Sequence, residues 1–340
     1  MSDYFNGYSV PFQYPTPPVD PRQEERKGLR SAASFVGALM LALTVTMQFT
    51  YTLVALALIF TGFLSLDALM KEQLGLDNTT YLLIYACVYI LAMGLPLLLV
   101  IGRRRLFADR FPKKPLTVGV GLLGILGAVG ICMGANIVTS YLISLLEQWN
   151  VPVPEMPDMM ESTPTSLLLN LFVVAVLPAI LEEALFRGCV LRVLRPYGDF
   201  FAVFVSSVLF GLMHGNVRQI PFALIVGLAL GWLYVVTNSI FLPMVVHFAN
   251  NALSVVMEYL AFYLPENSVN YFYGFIIYAL AVIGAVALIV LLFVGRSHLK
   301  ATPNGCGLRT GERFRTLLSS PAFVISVVVF VGLTCWEWIA

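Results

Sequence analysis

Leu181-Glu182-Glu183-Ala184-Leu185-Phe186-Arg187 sets two carboxylates and a guanidinium in an apolar run over residues 166–190. That run is longer than the roughly 20 residues needed to cross a bilayer. Ionised groups at bilayer depth cost at least about 2.5 kcal/mol each on insertion scales, so they mark a functional site or a specific partner. The surrounding chain is of the same kind. Only 11% of its 340 residues are charged and 59% are hydrophobic, whereas soluble domains carry about 25% charged side chains. An ordinary soluble enzyme is excluded. Further apolar runs lie near 36–64, 80–102, 117–146, 199–214, 219–236, 240–263, 270–295 and 320–339. They predict an all-α polytopic transmembrane bundle of eight or nine spans. The first run is too long for an upright span and predicts tilt, a kink near Gln48–Thr50 or a partly interfacial stretch.

Charge gives the orientation. With the N-terminus cytoplasmic and nine alternating spans, the loops 1–35, 103–116, 187–198 and 296–319 share a side and hold 18 of the 20 lysines and arginines. Only Lys71 and Arg218 fall opposite, as the positive-inside rule expects. The chain reads as a polar, proline-rich cytoplasmic tail (1–35), N-terminal spans (36–165), a central core (166–263) and C-terminal spans (264–340). The tail is expected to be extended or disordered. It holds no apolar leader, which suits a bacterial plasma membrane. The loop at 147–165, with Glu147, Glu155, Asp158 and Glu161, is acidic and outside, and reads as a solvated connector in preference to a lid. A net charge of +1 with no basic stripe gives no footprint for nucleic acid, so the partners are the lipid bilayer and whatever the core acts on. Cys87, Cys132, Cys189, Cys306 and Cys335 show no paired spacing, which argues against a disulfide framework or a thiolate metal site.

Within the core, spacing divides the labour. Glu183 and Arg187 are four apart and share a helix face, while Glu182 is rotated by about 100°. Arg187 therefore pairs with Glu183 and leaves Glu182 facing a cavity, free to act on water as a general base. Phe210 and His214 share a face in the same way. So do His247 and Asn251, an imidazole beside an amide that can support an oxyanion. Each of these residues alone has a structural reading as interhelical glue. A base, two imidazoles and an amide on three successive spans are the parts for hydrolysing a carbonyl. His298 sits in a basic loop, and Glu258 near the end of its span reads as interfacial.

Three motifs at these residues resemble those of the CPBP family, the CAAX-protease and bacteriocin-processing intramembrane glutamate proteases. EExxxR stands as Glu182-Glu183-Ala184-Leu185-Phe186-Arg187, FxxxH as Phe210-Gly211-Leu212-Met213-His214, and HxxxN as His247-Phe248-Ala249-Asn250-Asn251. The resemblance covers about residues 166–260. It implies hydrolysis of a peptide bond in a membrane-associated or lipidated peptide, with no cofactor. Glu182 would activate water, His214 would assist in positioning or proton transfer, and His247 with Asn251 would stabilise the oxyanion. Glu183, Arg187 and Phe210 would support them.

Two other functions compete. One glutamate and two histidines are also the ligand set of some catalytic zinc sites, although HExxH is missing. A non-catalytic scaffold or bacteriocin-immunity protein is the other. One expectation conflicts with a shared site. Counted from the cytoplasmic ends of the expected spans at about 1.5 Å per residue, Glu182 and His247 lie near 10 Å but His214 near 22 Å.

Overall fold

The computed structural model describes residues 20–101, 117–154, 159–294 and 307–339. The proline-rich stretch through Pro18, the basic stretch Arg103–Lys114, Glu155 and Asp158, and Arg296, His298, Lys300 and Cys306 lie outside these residues. Every regular element among the described residues is helical. In chain order they are α1 (Pro21–Phe60), α2 (Asn78–Ile101), α3 (Val118–Gln148) and α4 (Pro164–Tyr197). Then follow α5 (Asp199–Met213), α6 (Ile220–Thr237), α7 (Phe241–Ala261), α8 (Glu266–Val294), α9 (Thr310–Leu318) and α10 (Pro321–Ile339). The protein is an all-α polytopic membrane bundle. Each of the nine apolar runs holds a helix, and seven of these helices (α1, α2, α3, α4, α6, α8 and α10) are long and apolar enough to cross a bilayer. At 15 residues α5 is shorter.

Two segments differ from their sequence reading. Helix α1 begins at Pro21, inside the stretch expected to be extended, and continues for 40 residues through Gln48–Thr50 without a break. Its start is set locally, because the Asp20 carboxylate accepts from the Arg22 N–H and proline is pre-organised for the first turn. The second is α9, in what reads as a loop. Glu312 caps it by accepting from the Arg309 N–H and pairs with Arg22 of α1 at 2.8 Å. The Arg309 N–H, helped by Arg22, holds the Glu312 carboxyl below its ordinary range. Phe314 packs on Phe201 and Phe204, which anchors the apolar side of α9 to α5.

Contacts sort the loops between the two ends of the bundle. At one end, the start of α1 meets α9, and Arg313 lies against Gly198 in the α4–α5 turn. At the other, Arg218 reaches Glu147, and the Trp338 indole N–H donates to Pro152 O. This is the grouping that alternating spans require.

Helices here have no hydrophobic drive toward each other beyond what lipid offers, so close backbone approach carries much of the association. A Cβ placed on Gly130 of α3 would lie 2.5 Å from the Gly284 Cα of α8, and one on Gly37 of α1 would lie 2.3 Å from the Ala322–Phe323 backbone of α10. Gly134, one turn further along α3, faces open space. Gly130→Ala is expected to lower stability by about 1–3 kcal/mol through overpacking. Gly134→Ala should leave it unchanged or raise it by up to about 1 kcal/mol. Thermal unfolding of the two variants in one detergent checks the pair.

Candidate active site

The site grows from an irregularity in α4. Pro178 has no N–H to donate to the carbonyl four residues earlier, and that carbonyl belongs to Val174. Leu171–Val176 takes a π-helical turn, a second spans Phe186–Leu191, and Leu177–Leu185 between them is regular α-helix. Such turns shift the face that the following residues present. The Val174 carbonyl instead accepts the Asn251 amide of α7, at 2.8 Å. This bond ties α7 to α4 a little over two turns before the paired glutamates.

The glutamates part as their spacing requires. Glu183 is fully buried, with Oε1 2.7 Å from the Arg187 guanidinium and 2.8 Å from His247 Nδ1. Arg187, also buried, donates onward to Gly227 O of α6 at 3.2 Å and lies 4.6 Å from the centroid of the Phe210 ring. Eight residues along, Arg195 repeats the device, pairing with Asp199 at 2.8 Å and donating to Val235 O at 3.0 Å. Glu182 turns the other way. The Tyr89 hydroxyl of α2 donates to its Oε1 at 2.5 Å. Its Oε2 is buried without a hydrogen-bond partner and lies 3.8 Å from His247 Nε2.

Glu182 lines a cavity of about 430 Å³, together with Phe210, His214, His247, Asn250 and Asn251. Glu183 and Arg187 stand behind that wall. The separation in depth expected for His214 is absent, because α4 continues to Tyr197 rather than ending near residue 190. Glu182 and His214 are each sixteen residues from Gly198, the turn joining α4 to antiparallel α5 (198 − 182 and 214 − 198). Equal arms of one hairpin bring them to one level. His247 joins them because the α6–α7 turn is sunk beside α4, with Ile240 against Gly188.

The hydrogen bonds assign the imidazole tautomers. A carboxylate and a backbone carbonyl only accept, so His247 Nδ1 carries a proton toward Glu183, and His214 Nδ1 carries one toward Phe210 O at 2.8 Å. Both rings therefore keep Nε2 as the nitrogen not engaged by those bonds. His247 and Asn251 line the same cavity, and Asn251 is held there by other partners. Asn251 gives one amide N–H to Val174 O, and its Oδ1 accepts from Asn250 at 3.0 Å. Among the described residues, no group of three or more His, Cys, Asp or Glu side chains is arranged to hold a metal ion.

Tyr89 and Asn250 are the site residues that the sequence reading missed. Tyr81, Tyr85 and Tyr89 recur every fourth position, a polar stripe along one face of an otherwise apolar helix that pointed to a buried acceptor opposite. Asn250 gave no such signal beyond a second amide beside Asn251.

Residues 164–253 match the family model of the type II CAAX prenyl endopeptidases, Rce1-like, and the matched segment contains all three motifs. A protein of Bacillus subtilis (strain 168) named "Putative membrane peptidase YdiL" is 29% identical over 102 residues, which make up 30% of this chain and 40% of that one. The match therefore spans less than half the length of that curated relative. No solved structure matches the chain. The two matches bear out the resemblance to the CPBP family drawn from the motifs.

The Glu183–Arg187 pair is predicted to be a condition of the fold. Arg187→Ala leaves Glu183 charged and buried and strands the Gly227 carbonyl, which should cost about 3–5 kcal/mol. Adding Glu183→Gln should recover part of that loss by removing the charge. Thermal midpoints of the single and double variants test this, and a wild-type midpoint for Arg187→Ala would refute it.

Proposed function

We propose that this protein is an intramembrane peptidase in which Glu182 activates the attacking water. The observation that carries the reading is the buried, unpartnered Glu182 Oε2 on a cavity that His214 and His247 also line. The family match over the same helices supports it. The substrate is a membrane-associated peptide or protein, since the cavity lies within a helical bundle built to sit in lipid. A relative in Bacillus subtilis supports a bacterial plasma membrane as the setting.

The chemistry follows from the hydrogen bonds. The Tyr89 hydroxyl occupies Oε1, so the lone pairs of Oε2 remain for a water proton. The gap of 3.8 Å between Oε2 and His247 Nε2 is too long for a direct bond and suits a bridging water. Water oxygen bonds to the peptide carbonyl carbon as its proton passes to Glu182. The oxyanion that forms takes a hydrogen bond from the second Asn251 amide N–H. His247 supports the same intermediate with its neutral ring, whose lone pair at Nε2 accepts from the hydroxyl that the attacking water leaves on the carbon. Its Nδ1–H donates to the buried Glu183 carboxylate, which Arg187 pairs in turn, and this bond fixes where Nε2 points. When the tetrahedral intermediate collapses, the C–N bond breaks and the proton held by Glu182 passes to the leaving nitrogen. His214 Nε2 assists that transfer from the facing wall. No step calls on a metal, and a zinc-dependent route through the same Glu and His side chains is the alternative that the experiment separates.

Protein reconstituted in liposomes with a diverse mixture of peptides, read by mass spectrometry, tests the proposal. Glu182→Gln is expected to reduce cleavage about 10²–10⁴-fold with an unchanged thermal midpoint, and a chelator should leave the wild-type rate intact. Cleavage that survives Glu182→Gln would overturn the assignment of the base. Cleavage abolished by the chelator would replace the mechanism with a metal-dependent one, and no cleavage by the wild type would favour a non-catalytic role.

A further inference from the structure

A second cavity, of about 410 Å³, adjoins the one that holds Glu182 and shares Asn136, Gln219 and Phe222 with it. Its remaining walls are the outer half of α3, from Thr139 to Glu147, and Arg218. Seven of its nine lining residues are polar, which suits water or a peptide backbone and not an acyl chain. Asn136, Ser140 and Ser144 follow one another every four residues and so form a stripe along α3. Counted from Gln148, where α3 ends, Asn136 lies twelve residues in, a depth of about 18 Å. Exposed to hydrocarbon, a polar stripe that deep would be costly. Facing a water-filled recess, it is satisfied. Thr139 adds a second observation, since its hydroxyl is buried, unpartnered and on the wall of this recess.

The shape has a structural cause. Helix α5 has only 15 residues, about 22 Å, so the α5–α6 turn comes short of the full hydrocarbon thickness of about 30 Å. Helix α3, at 31 residues, rises past it. The step between them is the recess. Arg218 spans its mouth, 3.5 Å from Glu147 and donating to Pro154 O at 3.3 Å. Both side chains of that pair are partly exposed, 33% and 55%, so the bridge is weak and opens at little cost.

We propose that this recess is the aqueous vestibule of the catalytic cavity, through which water and the polar flank of a peptide substrate reach Glu182 from the end of the bundle that carries Glu147 and Arg218. The neck is the amide pair Asn136 and Gln219, whose donors and acceptors match an extended peptide backbone. The route rests on the peptidase reading for its purpose, but its hydration stands apart from any activity.

Single cysteines in the full chain with its five native cysteines replaced test both points in liposomes. Ser140→Cys and Ser144→Cys face the vestibule. Val138→Cys, at similar depth on α3, is 47% exposed, lies outside the cavity lining and serves as the control. A charged, membrane-impermeant methanethiosulfonate reagent is expected to modify the two vestibule positions at least tenfold faster than Val138→Cys. The bulky adduct at Ser140→Cys should then cut cleavage of the peptide mixture at least tenfold, with an unchanged thermal midpoint. Labelling no faster than at Val138→Cys would overturn the vestibule. Fast labelling with unimpaired cleavage would overturn the entry role. If the unmodified protein cleaves nothing, the peptidase reading fails while the labelling rates still decide whether the recess is wet.

Discussion

A carboxylate and a guanidinium cannot both be removed from water, in a bundle surrounded by lipid, unless each is met by the other and by further polar groups. Glu183 and Arg187 meet that condition through the His247 imidazole and the Gly227 carbonyl. The positions of three helices follow, because α4 supplies the pair, α7 the imidazole and α6 the carbonyl. Phe210 brings in α5 by covering the guanidinium. The geometry that would do chemistry at Glu182 is therefore set by charges one residue away that do not line the cavity. Glu182 and Glu183 differ in environment because a helix turns them to different sides, one toward fixed partners and one toward space.

Backbone irregularity does the rest. A regular α4 would use the Val174 carbonyl internally. Proline at 178 leaves it in need of a donor, and the π-helical turns before and after the glutamates let that face of the helix adjust to α7. The Asn251 amide is then held by the backbone, and Asn250 is in turn held by Asn251. A short α5 has the opposite kind of effect. It ends at the level of the glutamates, so that His214 arrives at the cavity and the turn after it leaves room above.

Much of this was legible in the residues. The all-α bundle follows from apolar runs and sparse charge, and the opposed facing of Glu182 and Glu183 follows from the angle between successive residues on a helix. The depth of His214 was not legible, because it depends on where α4 ends. The stretch Leu191–Tyr197 carries Arg192 and Arg195 and reads as a loop. Arg195 is buried instead, satisfied by Asp199 and the Val235 carbonyl, so the helix runs on. Tyr89 as the partner of Glu182 was hidden for a related reason. Contacts between helices far apart in sequence leave only a periodic hint on each. The start of α1 and the whole of α9 were read as irregular because their polar residues look solvated one at a time. Together they cap and pair with one another across nearly the whole length of the chain.

The twin arginine contacts from α4 to α6 bear on how such a bundle can move. Gly227 and Val235 are eight residues apart on α6, as Arg187 and Arg195 are on α4, so the two contacts act like the teeth of a ratchet about 12 Å apart. Sliding α4 along α6 by one helical turn would pull both guanidinium groups off their carbonyls at once. Axial shear between these helices therefore costs both contacts together. Helix α2, held to Glu182 by a single phenol, and the outer half of α3 touch the two cavities without such teeth.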